Sequence, residues 1–281
     1  GYYKKLGQNM KINSDEFFFS ESDLGEKVKE LLEKKEYLTT PSQVNPKCFV
    51  LGGLPGSGKS SYIKQLAGIY NGFIISGDDY RALHPKFPEI VSKYPDNWVS
   101  KTADFAAAVI RKLLEKGIQE RKNIIIEGTF RTFTAPANTL KQFKEAGYQT
   151  NVHLVLCHPY IAKTSTINRF REMQKVNPLG IGRPVSCESF QETAKNFAQN
   201  ADKIKSSGLA DYFVMVARRE LDQYIKVYDE QSTAKPSKVI EYEKFRVLSI
   251  KEEQTISDII KAEHAIEDLT KAKSKDHGLE R

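Results

Sequence analysis

Two spacings of apolar residues alternate along the chain, and together they predict strands separated by helices. Short uninterrupted apolar runs, which are typical of buried strands, occur at 47–53, 72–79, 123–128 and 150–157. The run at 72–79 ends in acidic residues, and two further runs, 211–218 and 223–230, predict strands that pair at a sheet edge. Helical spacing of apolar residues predicts helices over 20–35, 60–70, 104–117, 139–148, 161–175 and 250–269.

The order of these elements predicts an α/β fold in three parts. Strands that are apolar throughout and separated by helices indicate a mostly parallel sheet with helices on both faces. The expected parts are an N-terminal helical segment (1–46), an α/β core (47–232) and a C-terminal helical extension with a polar, mobile tail (233–281). The helix over 20–35 is expected to pack on the core, and a surface that docks an inhibitor is the alternative.

The composition is that of a globular protein without a membrane segment. The 281 residues are 40% hydrophobic and 10% aromatic, which supplies a sizeable core and argues against disorder of the whole chain. No stretch approaches the roughly 20 apolar residues of a membrane helix, and the first ten residues lack the apolar region of a signal peptide. Cys48, Cys157 and Cys187 form no CxxC pair, which argues against a disulfide scaffold or a structural zinc site and favours the reducing cytoplasm.

The segment from Gly53 to Ser60, GLPGSGKS, matches the phosphate-binding pattern GxxxxGK[S/T] in full. It lies between an apolar strand and a helix, the context that this loop requires. Glycines let the backbone curl so that its N–H groups point at phosphate oxygens, and the helix N-terminus adds a positive dipole. Lys59 can bridge the β- and γ-phosphates, and the Ser60 hydroxyl is a hard ligand for Mg²⁺. The sequence therefore predicts nucleoside triphosphate binding, the alternative being a glycine-rich turn in which Lys59 is a surface charge.

Among P-loop proteins, the remaining residues favour a kinase. The chain contains neither the NKxD-type signature of GTPases nor the apolar run ending in Asp-Glu of motor ATPases. Asp78 and Asp79 end the predicted second strand, and the carboxyl ends of parallel strands face the ligand crevice. A carboxylate there can accept the proton of an attacking hydroxyl, as a kinase base does. The alternative is that either aspartate caps the helix that follows.

Charged residues also follow the third and fourth predicted strands. Glu127 ends the third strand, where a buried carboxylate needs a metal-bound water, a substrate hydroxyl or a cation, and an ion pair with a lysine or arginine is the alternative. Arg169 and Arg171 lie on the predicted helix after the fourth strand, and Arg183 lies in the Gly/Pro loop beyond it. These positions resemble the lid of small P-loop kinases, in which a guanidinium grips the γ-phosphoryl group. The spacing leaves open which of the two helix arginines does so.

Together these motifs resemble the zeta toxin family of bacterial toxin–antitoxin systems. The likeness covers about residues 20–230 and rests on GGLPGSGKS, on the acidic residue six positions before His84-Pro85, on IIIEGTFR, and on INRFR followed by the loop arginine. Members of the family are P-loop kinases that use ATP or GTP to phosphorylate the 3′-hydroxyl of the amino sugar in UDP-N-acetylglucosamine. The resemblance implies a product that poisons cell-wall synthesis and an antitoxin protein that blocks the nucleotide site.

The resemblance also implies a role for each matching residue. It makes Asp78 the proton acceptor and Ser60 the Mg²⁺ ligand, and it assigns the phosphates to Lys59, Arg169 and Arg183. The implied nucleotide contacts are Gly53, Leu54, Pro55, Gly56, Ser57, Gly58, Lys59, Ser60, Ser61 and Arg183. The implied contacts to the acceptor substrate are Asp78, Glu127, Thr129, Arg131 and Thr139.

Two departures from the family pattern fall on the acceptor side. Ala107 stands where family members carry a substrate-binding glutamate, and the second strand reads ISGDD rather than the commoner IDxDxF. They keep open a kinase of a different metabolite or nucleotide. The net charge of +7 keeps open a nucleic-acid end kinase, although basic and acidic residues are interleaved rather than clustered. A nucleotide-gated interaction protein without catalysis is a further alternative.

Overall fold

The computed structural model describes residues 17–128, 130–162, 164–166, 187–219 and 223–262. Its helices are α1 (Glu21–Leu32), α2 (Lys35–Leu38), α3 (Lys59–Tyr70), α4 (Gly77–Tyr80), α5 (Phe87–Lys93), α6 (Trp98–Lys101), α7 (Ala103–Gln119), α8 (Thr134–Glu145), α9 (Cys187–Ser206) and α10 (Pro236–Phe245). Its strands are β1 (Lys47–Gly53), β2 (Phe73–Ile75), β3 (Ile124–Glu127), β4 (Gln149–Leu156), β5 (Tyr212–Arg218) and β6 (Tyr224–Tyr228). Residues 159–162, 164–166 and 250–262 are also helical.

The six strands form one sheet in the order β2-β3-β1-β4-β5-β6. The first five are parallel, and β6 pairs antiparallel with β5 at the edge. The register sets Leu51 of β1 opposite Glu127 of β3, and Gly53 of β1 opposite Val155 of β4. The predicted mostly parallel sheet and its edge pair are confirmed. The carboxyl ends of all five parallel strands therefore meet at one edge, which is where ligands bind in sheets of this kind.

β1 is buried on both faces because a hydrophobic core lies on each side of the sheet. Cys48 and Val50 belong to the larger cluster, which α1, α7, α8 and α9 cover. Phe49 and Leu51 belong to the smaller cluster, which α3 covers. Successive side chains of a strand point to opposite faces, so a strand covered on both faces is apolar throughout.

α1 begins at a capping box and packs on the core. The backbone N–H of Asp23 donates to Ser20 Oγ over 3.0 Å, and the Ser20 N–H donates to Asp23 Oδ2 over 3.0 Å. Leu24, Val28 and Leu31 are buried and belong to the larger core cluster. The expected packing of this helix on the core is confirmed.

Two predicted elements begin or end elsewhere than expected. β2 ends at Ile75 rather than at residue 79, because the chain turns after Ser76 into α4, whose first turn carries two aspartates. Acidic side chains in the first turn favour the start of a helix. α8 begins at Thr134 rather than at residue 139, since Pro136 lies in the first turn, where a proline costs no hydrogen bond.

α9 is a helix of 20 residues that the apolar spacing did not predict. Among its described side chains, the buried ones are Thr193, Phe197, Asn200, Ala201 and Ile204. Only two of these are large and apolar, so the helical stripe is weak in the sequence. The predicted helix over 161–175 is described only as far as residue 166 and the one over 250–269 only as far as 262. The polar tail lies outside the described residues.

A buried network of ion pairs joins the C-terminal helices to the end of β5. Arg219 makes a bidentate ion pair with Glu243, in which Nη1 and Nη2 each donate to one carboxylate oxygen over 2.7 Å. Arg246 Nε lies 2.9 Å from Glu243 Oε2. Arg246 Nη1 lies 2.8 Å from Glu252 Oε2. Burial would raise the pKa of Glu252, but bonds from Arg246 and Ser249 lower it to about 2. Since each buried charge has a partner, removing one partner would leave the other buried alone, which is strongly destabilising.

None of the helices in the described part of the chain is long and apolar enough to cross a membrane.

His153 of β4 gives the stability of the fold a specific pH dependence. Its Nδ1 lies 2.6 Å from the Tyr62 hydroxyl beneath α3. Desolvation lowers the pKa of His153 from 6.5 to about 4. We expect this group to reduce the free energy of unfolding by about 2–3 kcal/mol as the pH falls from 6.5 to 4, because the unfolded chain then binds a proton that the folded chain excludes. Well above pH 6.5 the histidine is neutral in both states and contributes no slope.

Urea denaturation of the wild type and of His153→Gln across this pH range measures the effect. The variant has no imidazole to titrate, so its stability should fall less steeply between pH 6.5 and pH 4. Parallel stability curves for the two proteins would contradict the assignment.

Candidate nucleotide and acceptor site

The residues between β1 and α3 form a tight loop at the carboxyl edge of the sheet. Gly56 and Gly58 have φ angles of +78° and +89°, in the left-handed region that favours glycine. A Cβ on Gly56 would lie 2.0 Å from the carbonyl oxygen of Ala162, so no side chain fits there. Gly58 is the N-cap residue of α3. The loop therefore has the curled backbone that the sequence motif predicts.

Lys59 holds its ammonium group across this loop. Its side chain is buried, and Nζ donates to the carbonyl oxygens of Gly53 over 2.9 Å and Leu54 over 3.2 Å. The first turn of α3 contains no acidic residue, so no side chain there neutralises the positive end of the helix dipole. The ammonium group and the helix N-terminus together make the loop attractive to an anion.

The loop fits a bound phosphate chain with Mg²⁺. Ser57 Oγ is buried and has no hydrogen-bond partner among the described residues, and an unpaired buried hydroxyl is costly. Ser60 is exposed in the first turn of α3, where its hydroxyl is available as a hard oxygen ligand. The partly exposed residues of the segment are Leu54, Pro55, Gly56, Gly58 and Ser61. In the described part of the chain, no group of three or more His, Cys, Asp or Glu side chains could hold a metal by itself. Mg²⁺ would therefore need phosphate oxygens as ligands beside Ser60.

Glu127 ends β3, next to the strand that leads into the loop. Its Oε2 accepts a hydrogen bond of 3.1 Å from the Ser76 hydroxyl, which follows β2. Across the described residues Glu127 forms no ion pair with a lysine or arginine, so the structure does not support the ion-pair alternative there. No local sequence signal identified Ser76, because it lies 51 residues from Glu127 and only the pairing of β2 with β3 brings these residues together.

Asp78 lies in the first turn of α4. Its Oδ1 is 3.7 Å from Arg81 Nε. The N-cap residue of α4 is Ser76 and the aspartates lie inside the helix, so the structure does not support the alternative in which one of them is the cap. A Cβ on Gly77 would lie 2.8 Å from Ile110 Cδ1, and the glycine therefore lets α4 approach α7 closely.

The sheet sets the distance between α4 and the loop. β2 is two strands away from β1, and strands lie about 4.8 Å apart, so α4 begins roughly 10 Å across the sheet from the loop. A separation of this size leaves room for a γ-phosphoryl group and an acceptor hydroxyl between them.

The turn after β3 is held in an unusual conformation. Phe130 has a φ of +57° although it carries a side chain, and such a conformation persists only where the surroundings enforce it. Its ring is buried against Gly52, where a Cβ would lie 2.3 Å from Phe130 Cδ2. The buried Asn200 of α9 donates from Nδ2 to the Phe130 carbonyl over 2.8 Å. α9 thus fixes the segment that carries the predicted acceptor contacts, and no local sequence signal identified Asn200.

The other predicted acceptor residues lie around this turn. Arg131 follows Phe130 and is exposed. Thr139 lies in α8 and donates from Oγ1 to the carbonyl of Ala135 over 3.1 Å. Ala107 is exposed on α7, one turn before Ile110. Thr129, Arg169 and Arg183, with Arg171, lie outside the described residues.

Comparisons with known proteins agree with this geometry. A model of the family described as Zeta toxin matches residues 29–233. Toxin PezT of Streptococcus pneumoniae serotype 4 is 35% identical over 139 residues, which are 49% of this chain and 55% of that protein. Toxin zeta of Enterococcus hirae is 26% identical over 251 residues, which are 87% of this chain and 84% of that protein.

A solved structure from a study of the PezAT chromosomal toxin–antitoxin system of Streptococcus pneumoniae has a similar fold. Its TM-score is 0.77 at 22% sequence identity, and the match covers 89% of this chain and 98% of that one. At this identity the likeness establishes the fold, a mostly parallel six-stranded sheet flanked by helices.

The contribution of the hydrogen bond from Asn200 to the Phe130 carbonyl can be tested by measuring the free energy of unfolding. We expect Asn200→Leu to lower the free energy of unfolding by about 1–3 kcal/mol, because it leaves the buried Phe130 carbonyl without a donor. Gln199→Leu, at the exposed neighbouring position, should change stability by less than about 0.5 kcal/mol. Chemical denaturation measures both, and equal stabilities of the two variants would rule out the assigned role.

Proposed function

This chain belongs to the zeta toxin family, and from that premise we propose that it is a kinase of UDP-N-acetylglucosamine. It transfers the γ-phosphoryl group of ATP or GTP to the 3′-hydroxyl of the amino sugar. The phosphorylated sugar nucleotide blocks cell-wall synthesis, and the protein thereby acts as a toxin.

One observation supports the proposal above all. The curled loop, in which Lys59 donates to backbone carbonyls, follows β1. The next two parallel strands on one side, β3 and β2, end in Glu127 and in the turn to Asp78. A group that binds phosphates and a row of carboxylates therefore share one edge of the sheet. Phosphoryl transfer to an alcohol needs this pair of features, because the donor must be held while the acceptor hydroxyl loses its proton.

The chemistry assigns a task to each side of this edge. Asp78 accepts the proton of the acceptor hydroxyl while the oxygen of that hydroxyl forms a bond to the γ-phosphorus. The bond from that phosphorus to the β–γ bridging oxygen breaks, and the nucleoside diphosphate leaves with the electron pair. Lys59 and the N-terminus of α3 stabilise the charge on the phosphates. Mg²⁺ held by Ser60 and phosphate oxygens would neutralise part of that charge.

The acceptor sugar nucleotide would contact the residues around β3 and α8. Glu127 offers a carboxylate to a sugar hydroxyl, Arg131 offers a guanidinium to the diphosphate, and Thr139 offers a hydroxyl. Thr129 is proposed for the same surface, and Arg169 and Arg183 for the γ-phosphoryl group. An antitoxin protein is the proposed partner, since a solved relative of the same fold comes from a toxin–antitoxin system.

Ala107 supports a second candidate function, a kinase of a different small metabolite. The exposed methyl group of Ala107 cannot form the hydrogen bond that a glutamate at this position would make to the acceptor. Loss of one carboxylate–hydroxyl bond weakens binding by about 1–3 kcal/mol, which can change the preferred acceptor.

Asp78→Asn tests the proposed base. We expect turnover to fall by at least about 100-fold while ATP binding persists, because the amide cannot accept the proton, whereas the residues of the nucleotide loop are unchanged. The assay incubates purified protein with ATP, Mg²⁺ and UDP-N-acetylglucosamine, and then with a metabolite extract, and identifies phosphorylated products by mass spectrometry.

Asp79→Asn, at the adjacent position of α4, distinguishes the two carboxylates. It should keep most of the turnover. If Asp79→Asn abolishes turnover and Asp78→Asn does not, the base has been assigned to the wrong aspartate. If the wild type modifies another metabolite and no UDP-sugar, the second candidate function replaces the first.

Ala107→Glu tests the acceptor. If UDP-N-acetylglucosamine is the substrate, a carboxylate at this exposed position should lower its KM by fivefold or more, equivalent to about 1 kcal/mol. Ala107→Gln, of equal size but neutral, should lower it less, since bonds to charged groups are stronger. An unchanged or higher KM for both variants would contradict the proposed orientation of the sugar.

A further inference from the structure

The side chain of Arg218 rests on the phosphate-binding loop. Arg218 is the last residue of β5, and a Cβ on Gly58 would lie 3.0 Å from Arg218 Cδ and 3.3 Å from Arg218 Nε. The arginine stem therefore lies against the backbone of Gly58, where α3 begins. No motif in the sequence singled out this residue.

The neighbours of Arg218 hold it in this place. The Tyr224 hydroxyl, from the paired strand β6, donates to the Gly58 carbonyl over 2.6 Å. On the other side, Arg219 makes its bidentate ion pair with Glu243, and its backbone N–H donates to Gln223 over 3.0 Å. The end of β5 is thus anchored both to the loop and to α10, and these bonds restrict the movement of the backbone at Arg218.

The strand order indicates which part of a nucleotide would reach Arg218. The carboxylates of the proposed acceptor side follow β2 and β3, on one flank of β1, and β4 and β5 lie on the other flank. Transfer requires the γ-phosphoryl group to face the acceptor. The rest of the nucleotide then extends from the loop toward β4 and β5, and its nucleoside end comes to the flank where Arg218 lies.

We propose that Arg218 contacts the nucleoside end of the bound triphosphate, with its planar guanidinium against the face of the purine base. The inference rests on the proposed nucleotide binding and adds a base-contacting residue to it. A guanidinium is planar, carries its charge at all physiological pH values and stacks on aromatic faces, which an ammonium does less well. Because every purine has such a face, this contact serves ATP and GTP alike.

Calorimetric titration with Mg·ATP and with Mg·tripolyphosphate tests the proposal, because the second ligand lacks the base. Arg218→Met keeps a stem of similar length and removes the planar cation. We expect it to weaken ATP binding about tenfold and tripolyphosphate binding by less than twofold. Arg218→Lys keeps the charge without the plane and should also weaken ATP binding severalfold. Lys226→Met removes a cation from the neighbouring strand and should leave both affinities unchanged.

The possible results separate this proposal from the proposed function. If the wild type binds neither ligand, nucleotide binding itself is refuted. If the wild type binds ATP and Arg218→Met binds it equally well, only the role of Arg218 is refuted. Equal losses for ATP and tripolyphosphate, or full affinity in Arg218→Lys, would make Arg218 a phosphate contact and overturn the stacking on the base.

Discussion

The curl of the main chain between Gly53 and Lys59 is the constraint around which the neighbouring elements are arranged. Three elements approach the loop closely enough to exclude side chains from it. A Cβ placed on Gly53 would lie 2.7 Å from the carbonyl oxygen of Val155 in β4. Ala162 lies against Gly56, and the end of the β5–β6 pair lies against Gly58. The glycines therefore serve two purposes, since they permit the left-handed backbone and also the close packing. A loop held from three sides is preorganised, which reduces the rearrangement needed when an anion binds.

The parallel sheet separates the two reactants of the proposed reaction. Strand order places β3 and β2 on one flank of β1 and β4 and β5 on the other. The carboxylates of Asp78 and Glu127 lie on the first flank, whereas Arg218 and Tyr224 lie on the second. In the proposed reaction the first flank accepts the proton that the acceptor hydroxyl loses, and the second adds a cation beside the nucleotide. The phosphate-binding loop lies between them.

The C-terminal helices support this edge from outside the core. Glu243 and Glu252 link Arg219 and Arg246 in a buried network, and Leu248 and Ile256 pack against the cluster that contains Ala162. Ala162 is the residue whose carbonyl lies over Gly56. The extension therefore stabilises a segment in direct contact with the loop, although it carries none of the predicted site residues.

The sequence by itself determined the strands, the loop motif and the chemical class of the site, because these depend on local patterns. A strand covered on both faces must be apolar throughout, as in 47–53, and a loop that curls around phosphates must carry glycines at fixed offsets, as at Gly56 and Gly58. Strand order, and with it the division of the edge into two flanks, came only from the tertiary structure. So did Ser76, Asn200 and Arg218, whose contacts join positions 51 to 160 residues apart in the chain. The apolar pattern did not predict α9 for a related reason. The buried side of this helix combines polar and small residues, so it has no clear apolar stripe. Its role as a buried face becomes evident only when the turn after β3 and the sheet are in place to pack against it.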